Sequence, residues 1–238
     1  MLLGGQLPSR GPRPHLSRLH GSRVHLSRLH GSRVHGSRLH GSRARRRARA
    51  WWQDSRVQMT MGDLEVVPAG DRPDLLAPAV ASALNALAGT LAGDSAGVAE
   101  IDPALADTAA FCARYDVDLA ESANCVVISG RRGGETRFAA CIVLATTRAD
   151  VNGTARRQLD VRKASFAAMD VAVAETGMEY GGITPVGLPA DWPILVDARV
   201  AAAPAVVIGS GLRRSKLVLP GAAVAHLPGA LVIPSLAR

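Results

Sequence analysis

Histidine is almost absent from this 238-residue chain outside one repeat, and His226 is the single exception. Without a Ser-His-Asp or Cys-His pairing, nucleophilic catalysis of the usual kind is not expected. Cysteine is equally scarce. Cys112, Cys125 and Cys141 are odd in number, widely spaced and set in apolar stretches. No Cys-x-x-Cys spacing exists, which speaks against a zinc ribbon or a disulfide framework and for buried, reduced thiols in a cytoplasmic protein. No His/Asp/Glu group has metal spacing. Gly130-Arg131-Arg132-Gly133-Gly134 lacks the Lys-Ser/Thr ending of a phosphate loop. Long apolar runs are also missing: Ala139 to Ala145 is far too short to cross a bilayer. No charged start followed by an apolar stretch marks a secretory signal, so no membrane partner is expected.

Acidic residues are missing from the first quarter. Residues 1–58 hold 13 Arg, no Lys and only Asp54 as an acid, a net charge of +12. Residues 59–238 hold 15 basic and 19 acidic residues, a net charge of −4. The overall +8 therefore belongs to the leading segment. From His15 that segment repeats His-x-Ser-Arg-x every five residues through His40. Five residues advance a helix by about 140° beyond a full turn, and an odd period flips the faces of a strand. Neither conformation gathers an apolar stripe, so residues 1–58 are expected to form a disordered basic tail. Three readings of it stand. A basic arm could contact RNA through Arg45-Arg46-Arg47 with Trp51 and Trp52. An acid-poor, Arg- and Ser-rich stretch could serve as a transit peptide. A short tandem repeat could be translated from a start placed too early, with Met59 or Met61 as the true start.

Residues 59–97 read as a helical lead-in. Val80, Leu84, Leu87 and Leu91 are spaced for one helix over Pro78–Leu91, closed by Gly93. Val98–Ile101 is a short strand. Asp102-Pro103 reads as a helix start, with Leu105, Ala109, Cys112 and Ala113 on the buried face as far as Tyr115. Asn124–Ser129 and Thr136–Ala145 are strands of a hairpin that turns at Arg131 to Glu135. A short helix begins at Asp150, Lys163–Phe166 is a strand, and Ala168–Thr176 is a helix stopped by Gly177. Short strands follow at Pro193–Asp197, Ala205–Ile208, Ser215–Leu219 and Leu231–Ile233, with one helical turn at Pro220–Ala225. Strands and short helices alternate without regular βαβ units. That predicts a single α+β domain, residues 98–238, built on a mixed, curved sheet.

Gly181-Gly182-Ile183-Thr184-Pro185-Val186-Gly187 interrupts this order. Three glycines and a proline rule out a helix interior or central strand, yet the flanks are apolar. Such a loop is either a tight turn between core elements or a backbone platform that a ligand approaches.

Met178 to Pro189 resembles the Gly-x-x-Pro loop of the YbaK-type aminoacyl-tRNA deacylases, a family that includes the editing domain inserted in bacterial prolyl-tRNA synthetases. Further similar stretches keep the family's order: Glu121 to Ile128, Lys163 to Ala167, Ile194 to Asp197, Val206 to Gly211 and Ser215 to Leu219. The resemblance spans roughly Val98 to Leu236 and implies a barrel-like mixed sheet with flanking helices. It also implies a trans-editing deacylase that hydrolyses the ester of tRNA mischarged with a small amino acid, without cofactor or metal. In that picture Gly182 and Pro185 form a catalytic platform with Gly181 and Thr184 beside it. Asp197, Ser210 and Gly211 line or brace the pocket, and Lys163 or Arg213 contacts phosphate. Its partners are the 3′ end of aminoacyl-tRNA and an aminoacyl-tRNA synthetase. Family members commonly carry a lysine in the first core strand where this chain has Asn124, a neutral donor and acceptor. Asn124→Lys is then expected to raise deacylation. A non-catalytic domain that binds tRNA ends or a synthetase is the first alternative reading, and a small-molecule hydrolase or binding protein on the same scaffold is the second.

Overall fold

The computed structural model describes residues 60–238. The expectations for residues 1–58 and for a start at Met59 lie outside the described residues. In chain order the strands are β1 (Thr60–Met61), β2 (Leu64–Glu65), β3 (Val67–Pro68), β4 (Gly97–Glu100), β5 (Ala123–Arg132), β6 (Glu135–Leu144), β7 (Ala164–Phe166), β8 (Ile194–Asp197), β9 (Val206–Gly209), β10 (Ser215–Leu219) and β11 (Ala230–Ile233). The helices are α1 (Pro78–Ala86), α2 (Leu91–Ser95), α3 (Thr108–Tyr115), α4 (Met169–Thr176), α5 (Ala198–Ala202) and α6 (Gly221–Ala225). A π turn, Val151–Ala155, runs into the short helix Arg156–Gln158.

The fold is the expected α+β domain, with the strands divided between two main sheets. One is antiparallel, in the order β3-β4-β10-β9, and the other is mixed, in the order β11-β8-β6-β5-β7, with β8 parallel to both its neighbours. They meet where Ser122 bridges Val207 and the Val207 N–H donates to the Glu121 carbonyl at 2.7 Å. This seam sets β9 beside the start of β5 and so places Asn124 near Gly209. Residues 60–97 share this core: β3 pairs with β4, and Leu75, Val80 and Leu84 pack with Val98, Ile208 and Leu217.

Strand β6 shows why its sequence is continuously apolar where a half-buried strand would alternate. Ala140, Ile142 and Leu144 face the main core, and Ala139, Cys141 and Val143 face a second cluster, so both faces are covered. The β5–β6 hairpin turns at Gly133-Gly134, whose φ values of 58° and 90° need no Cβ penalty.

Two helices differ from expectation. The 78–91 pattern breaks into α1 and α2, because Gly89 takes φ 80° and the Thr90 hydroxyl accepts from the Gly93 N–H at 3.3 Å, starting a new helix. Asp102 does cap, accepting from the Ala104 N–H at 2.8 Å, but only a 3-10 turn follows and α3 begins at Thr108. The buried face therefore falls on Phe111 and Cys112, while Ala109 and Ala113 are exposed and Leu105 is half-buried. All three cysteines are free, with Cys112 and Cys141 buried and Cys125 half-buried. Among the described residues no helix is long and apolar enough to cross a membrane.

Candidate functional site

A cavity of about 480 Å³ opens where β5, β9, β10, the start of α3 and the 179–183 loop converge. Asn124 on β5 lines it and is half-buried. The Thr108 hydroxyl donates to the Asn124 carbonyl oxygen at 2.7 Å, which leaves the amide NH₂ as the side chain's remaining donor. Lys216 lines the same space from β10, opposite Gly209 in the register. It is 7% exposed and has no carboxylate partner among the described residues. Its ammonium donates to the Ala106 carbonyl at 2.9 Å and lies 5.2 Å from the centre of the Phe111 ring. Its pKa is pushed down to about 8, chiefly by burial and in smaller part by Arg213, with Cys112 and Asp107 opposing the shift.

Lys216 is the residue that sequence reasoning missed. Its signal is local: one of only two lysines in the chain sits inside an otherwise apolar strand, Ser215 to Leu219. A lysine there is buried, and buried lysines seldom lack a purpose.

The mouth of the cavity is aromatic. Of the six aromatic residues between 60 and 238, two are largely exposed, Phe166 (66%) and Tyr180 (56%), and both lie at this opening beside Met169. Apolar rings held in water at the rim of a polar cavity suit a flat ligand that stacks.

The glycine loop contributes in a way the sequence did not reveal. Gly181 and Ile183 line the cavity, and neither of their N–H groups has an acceptor among the described residues. Gly182 and Pro185 are buried behind them and do not line it. The Gly182 N–H donates to the Glu179 carbonyl at 2.9 Å, and its own carbonyl accepts from the Gly211 N–H at 2.7 Å. The chain turns here, with Gly181 at φ 81° and the Gly182 N–H closing on Glu179, which leaves Gly181 at the cavity and Gly182 packed inward. A Cβ on Gly182 would stand 2.6 Å from the Leu212 carbonyl carbon and oxygen. Gly182→Ala is therefore expected to cost about 1–3 kcal/mol of stability. Thermal unfolding checks this, and an unchanged melting temperature would show that the Leu212 backbone yields.

The other expected site residues divide by position. Ser210 and Gly211 brace the loop from beneath: the Ser210 and Ser215 hydroxyls are 2.7 Å apart, and the Glu179 N–H donates to the Gly211 carbonyl at 2.9 Å. Arg213 reaches across Gly181, donating to the Tyr180 carbonyl at 3.0 Å and the Pro103 carbonyl at 3.2 Å. Thr184 is fully buried, and its hydroxyl has no hydrogen-bond partner among the described residues. Asp197 stands outside the cavity. Burial disfavours its ionised form, but donation from the Arg199 side chain (2.8 Å) and the Arg199 and Ala237 N–H groups (both 3.0 Å) more than offsets this, and its pKa is lowered. It caps α5 and ties down the C-terminal segment. Lys163 is exposed just before β7, also outside the cavity.

Residues 102–227 match the family model of the aminoacyl-tRNA editing domain. The chain belongs to that family. Two solved structures at 22% identity share the fold: a scaffold used for computational grafting of linear epitopes (TM-score 0.56, covering 66% of this chain and 94% of that one) and a candidate trans-editing enzyme for prolyl tRNA synthetase (TM-score 0.55, 66% and 96%). A hypothetical protein at 19% identity also shares it (TM-score 0.53, 59% and 90%). No curated protein matches the chain. The matched span holds every cavity residue named above, from Ala106 to Lys216.

Proposed function

We propose that this editing domain is an aminoacyl-tRNA deacylase acting in trans on tRNA mischarged with a small amino acid. The observation that carries the reading is the buried, unpaired Lys216 ammonium in the same cavity as Asn124 and the free N–H groups of Gly181 and Ile183. An aminoacyl ester is already activated by the neighbouring ribose hydroxyl, so positioning water and stabilising charge are what remains to be done. Water adds to the ester carbonyl carbon and a tetrahedral oxyanion forms. The bond to the ribose oxygen then breaks, that oxygen takes up the proton that the attacking water has given up, and the free amino acid leaves. Lys216 and the two loop N–H groups are donors for the oxyanion, each such donor lowering the barrier by a few kcal/mol in a water-poor site. The Asn124 amide orients the ribose or the water. Selection for a small side chain beside the terminal nucleoside would follow the size logic of a second sieve.

A panel of aminoacyl-tRNAs, each followed for release of its amino acid with the protein added, tests the reading. Accelerated release from at least one small-residue pair is expected. Asn124→Ala should lower kcat/KM for that pair by roughly tenfold, the worth of one hydrogen bond. With Lys216 lining the same cavity, Asn124→Lys should instead slow deacylation, because a second ammonium there would repel the first. Tight binding of uncharged tRNA with no release from any member of the panel would instead support the non-catalytic binding module.

A further inference from the structure

The charge of residues 59–238 is sharply divided. Residues 130–163 hold eight basic and three acidic residues, a net charge of +5, while the rest of 59–238 holds seven basic and sixteen acidic residues, a net charge of −9. The fold gathers four of those eight basic residues at the tip of the β5–β6 hairpin. A groove of about 790 Å³ there is lined by Arg131, Arg132, Arg156 and Arg162, with Gly133 and Gly134 at the turn. Arg132 is ion-paired with Asp160, and Arg137 reaches the same carboxylate at 3.4 Å. Arg156 is held by the carbonyls of Asn152 (2.9 Å), Arg162 (3.4 Å) and Val161 (3.5 Å). Arg131, Arg162 and Lys163 have no carboxylate partner among the described residues. The groove is also firmly seated, since a Cβ on Gly130 would stand 2.6 Å from the Lys163 carbonyl.

We infer that this hairpin groove is a docking surface for the phosphate backbone of an RNA duplex, the acceptor stem of the tRNA whose 3′ end enters the cavity. The choice of RNA rests on the deacylase reading. The placement rests on the sheet. Asn124 and Arg131 are seven residues apart on β5, roughly 23 Å. Strand β7 covers part of that distance, pairing Ala164 with Gly130 and Phe166 with Ile128. One short strand thus leads from Arg162 at the groove, two residues before it, to the Phe166 ring at the cavity mouth. Such a track fits a nucleic acid whose unpaired end stacks on aromatic side chains and whose duplex is held through its phosphates. Arginine forks suit phosphate oxygens, and two of the four are already held in place by neighbours.

The test uses the full chain and an uncharged RNA hairpin of acceptor-stem form with an unpaired 3′ end. Phenylglyoxal labelling, read residue by residue by mass spectrometry, should show Arg131 and Arg162 protected by the RNA and Arg72 unaffected. Arg131→Ala/Arg162→Ala should weaken binding roughly tenfold and reduce the slope of log affinity against log salt by about two. The basic segment 1–58 is present in both proteins and so does not enter the difference. Equal labelling with and without RNA, or an unchanged slope, would overturn the surface. So would a double variant that loses binding to phosphatidylserine vesicles and keeps it for RNA, which would make the groove a membrane site. Failure of the deacylase reading looks different: the protections and the slope change remain, and no aminoacyl-tRNA is hydrolysed.

Discussion

Lys216→Met should yield a folded protein that is more stable at pH 7 and deacylates on the order of a hundredfold more slowly. Both effects have one cause. Holding a charged lysine in a buried site depresses its pKa from 10.5 to about 8, which corresponds to about 3 kcal/mol spent on keeping the ammonium there. Methionine fills similar volume without that cost. The Ala106 carbonyl loses its donor, which returns about 1–2 kcal/mol and leaves a net gain of about 1–2 kcal/mol. The gain should shrink as pH rises. Below about pH 8 the lysine is charged in both states and the burial penalty is fully felt. Between about 8 and 10.5 the unfolded chain holds the proton and the folded chain does not, so this group alone makes stability rise with pH. The buried thiols act oppositely, because burial raises their pKa, to about 12 for Cys141, and their stabilising share is lost as pH climbs above the ordinary thiol value of 9.0. Comparing wild type with Lys216→Met cancels the thiols. If the ammonium is the oxyanion donor, wild-type kcat/KM falls above about pH 8, and Lys216→Arg retains part of the activity without that fall. A variant that is less stable than wild type and equally active would make Lys216 a structural residue.

Removing the rim rings should have the next largest effect. Phe166→Ala with Tyr180→Ala takes away both exposed aromatic side chains at the cavity mouth. A base stacked on an aromatic ring is worth about 1–3 kcal/mol. Losing two such contacts should raise KM for aminoacyl-tRNA by at least roughly tenfold. Little change in kcat is expected, because stacking far from the ester is the same in ground and transition states. Tyr180→Phe keeps the ring and should behave as wild type. Both rings are solvent-exposed, so stability should hold within about 0.5 kcal/mol. A double variant with unchanged KM would reduce the rings to chance exposure. A fall in kcat with KM unchanged would place them in the chemistry.

The two proposals bear on different parts of one substrate. The cavity would hold the ester and terminal nucleoside, while the hairpin groove would hold the duplex behind them. If both hold, the protein would select its substrate twice, by the size of the amino acid and by the presence of a helical stem.

What could be read from the sequence was whatever local periodicity and turn chemistry encode. The β5–β6 hairpin, the stop of α4 at Gly177, the caps at Asp102 and Asp150 and the short strands of the C-terminal half all follow from neighbours within a few residues. The family was legible for the same reason, since its motifs keep their order along the chain. Even Asn124 could be singled out, because its place in the first core strand is a matter of alignment. The roles of individual site residues were not legible, because they depend on which way a side chain turns and what it meets across the fold. Gly182 and Gly181 are adjacent and chemically identical, yet only the packing of Leu212 decides that one is buried and the other faces the cavity. Asp197 looks like a pocket carboxylate until Arg199 and Ala237 are seen to engage it. Lys216 shows the limit most clearly. It lies 92 residues after Asn124, and only the seam between β9 and the start of β5 brings both into one cavity. Long-range contact of that kind is set by the burial of apolar faces from many segments at once, which no single stretch of sequence specifies.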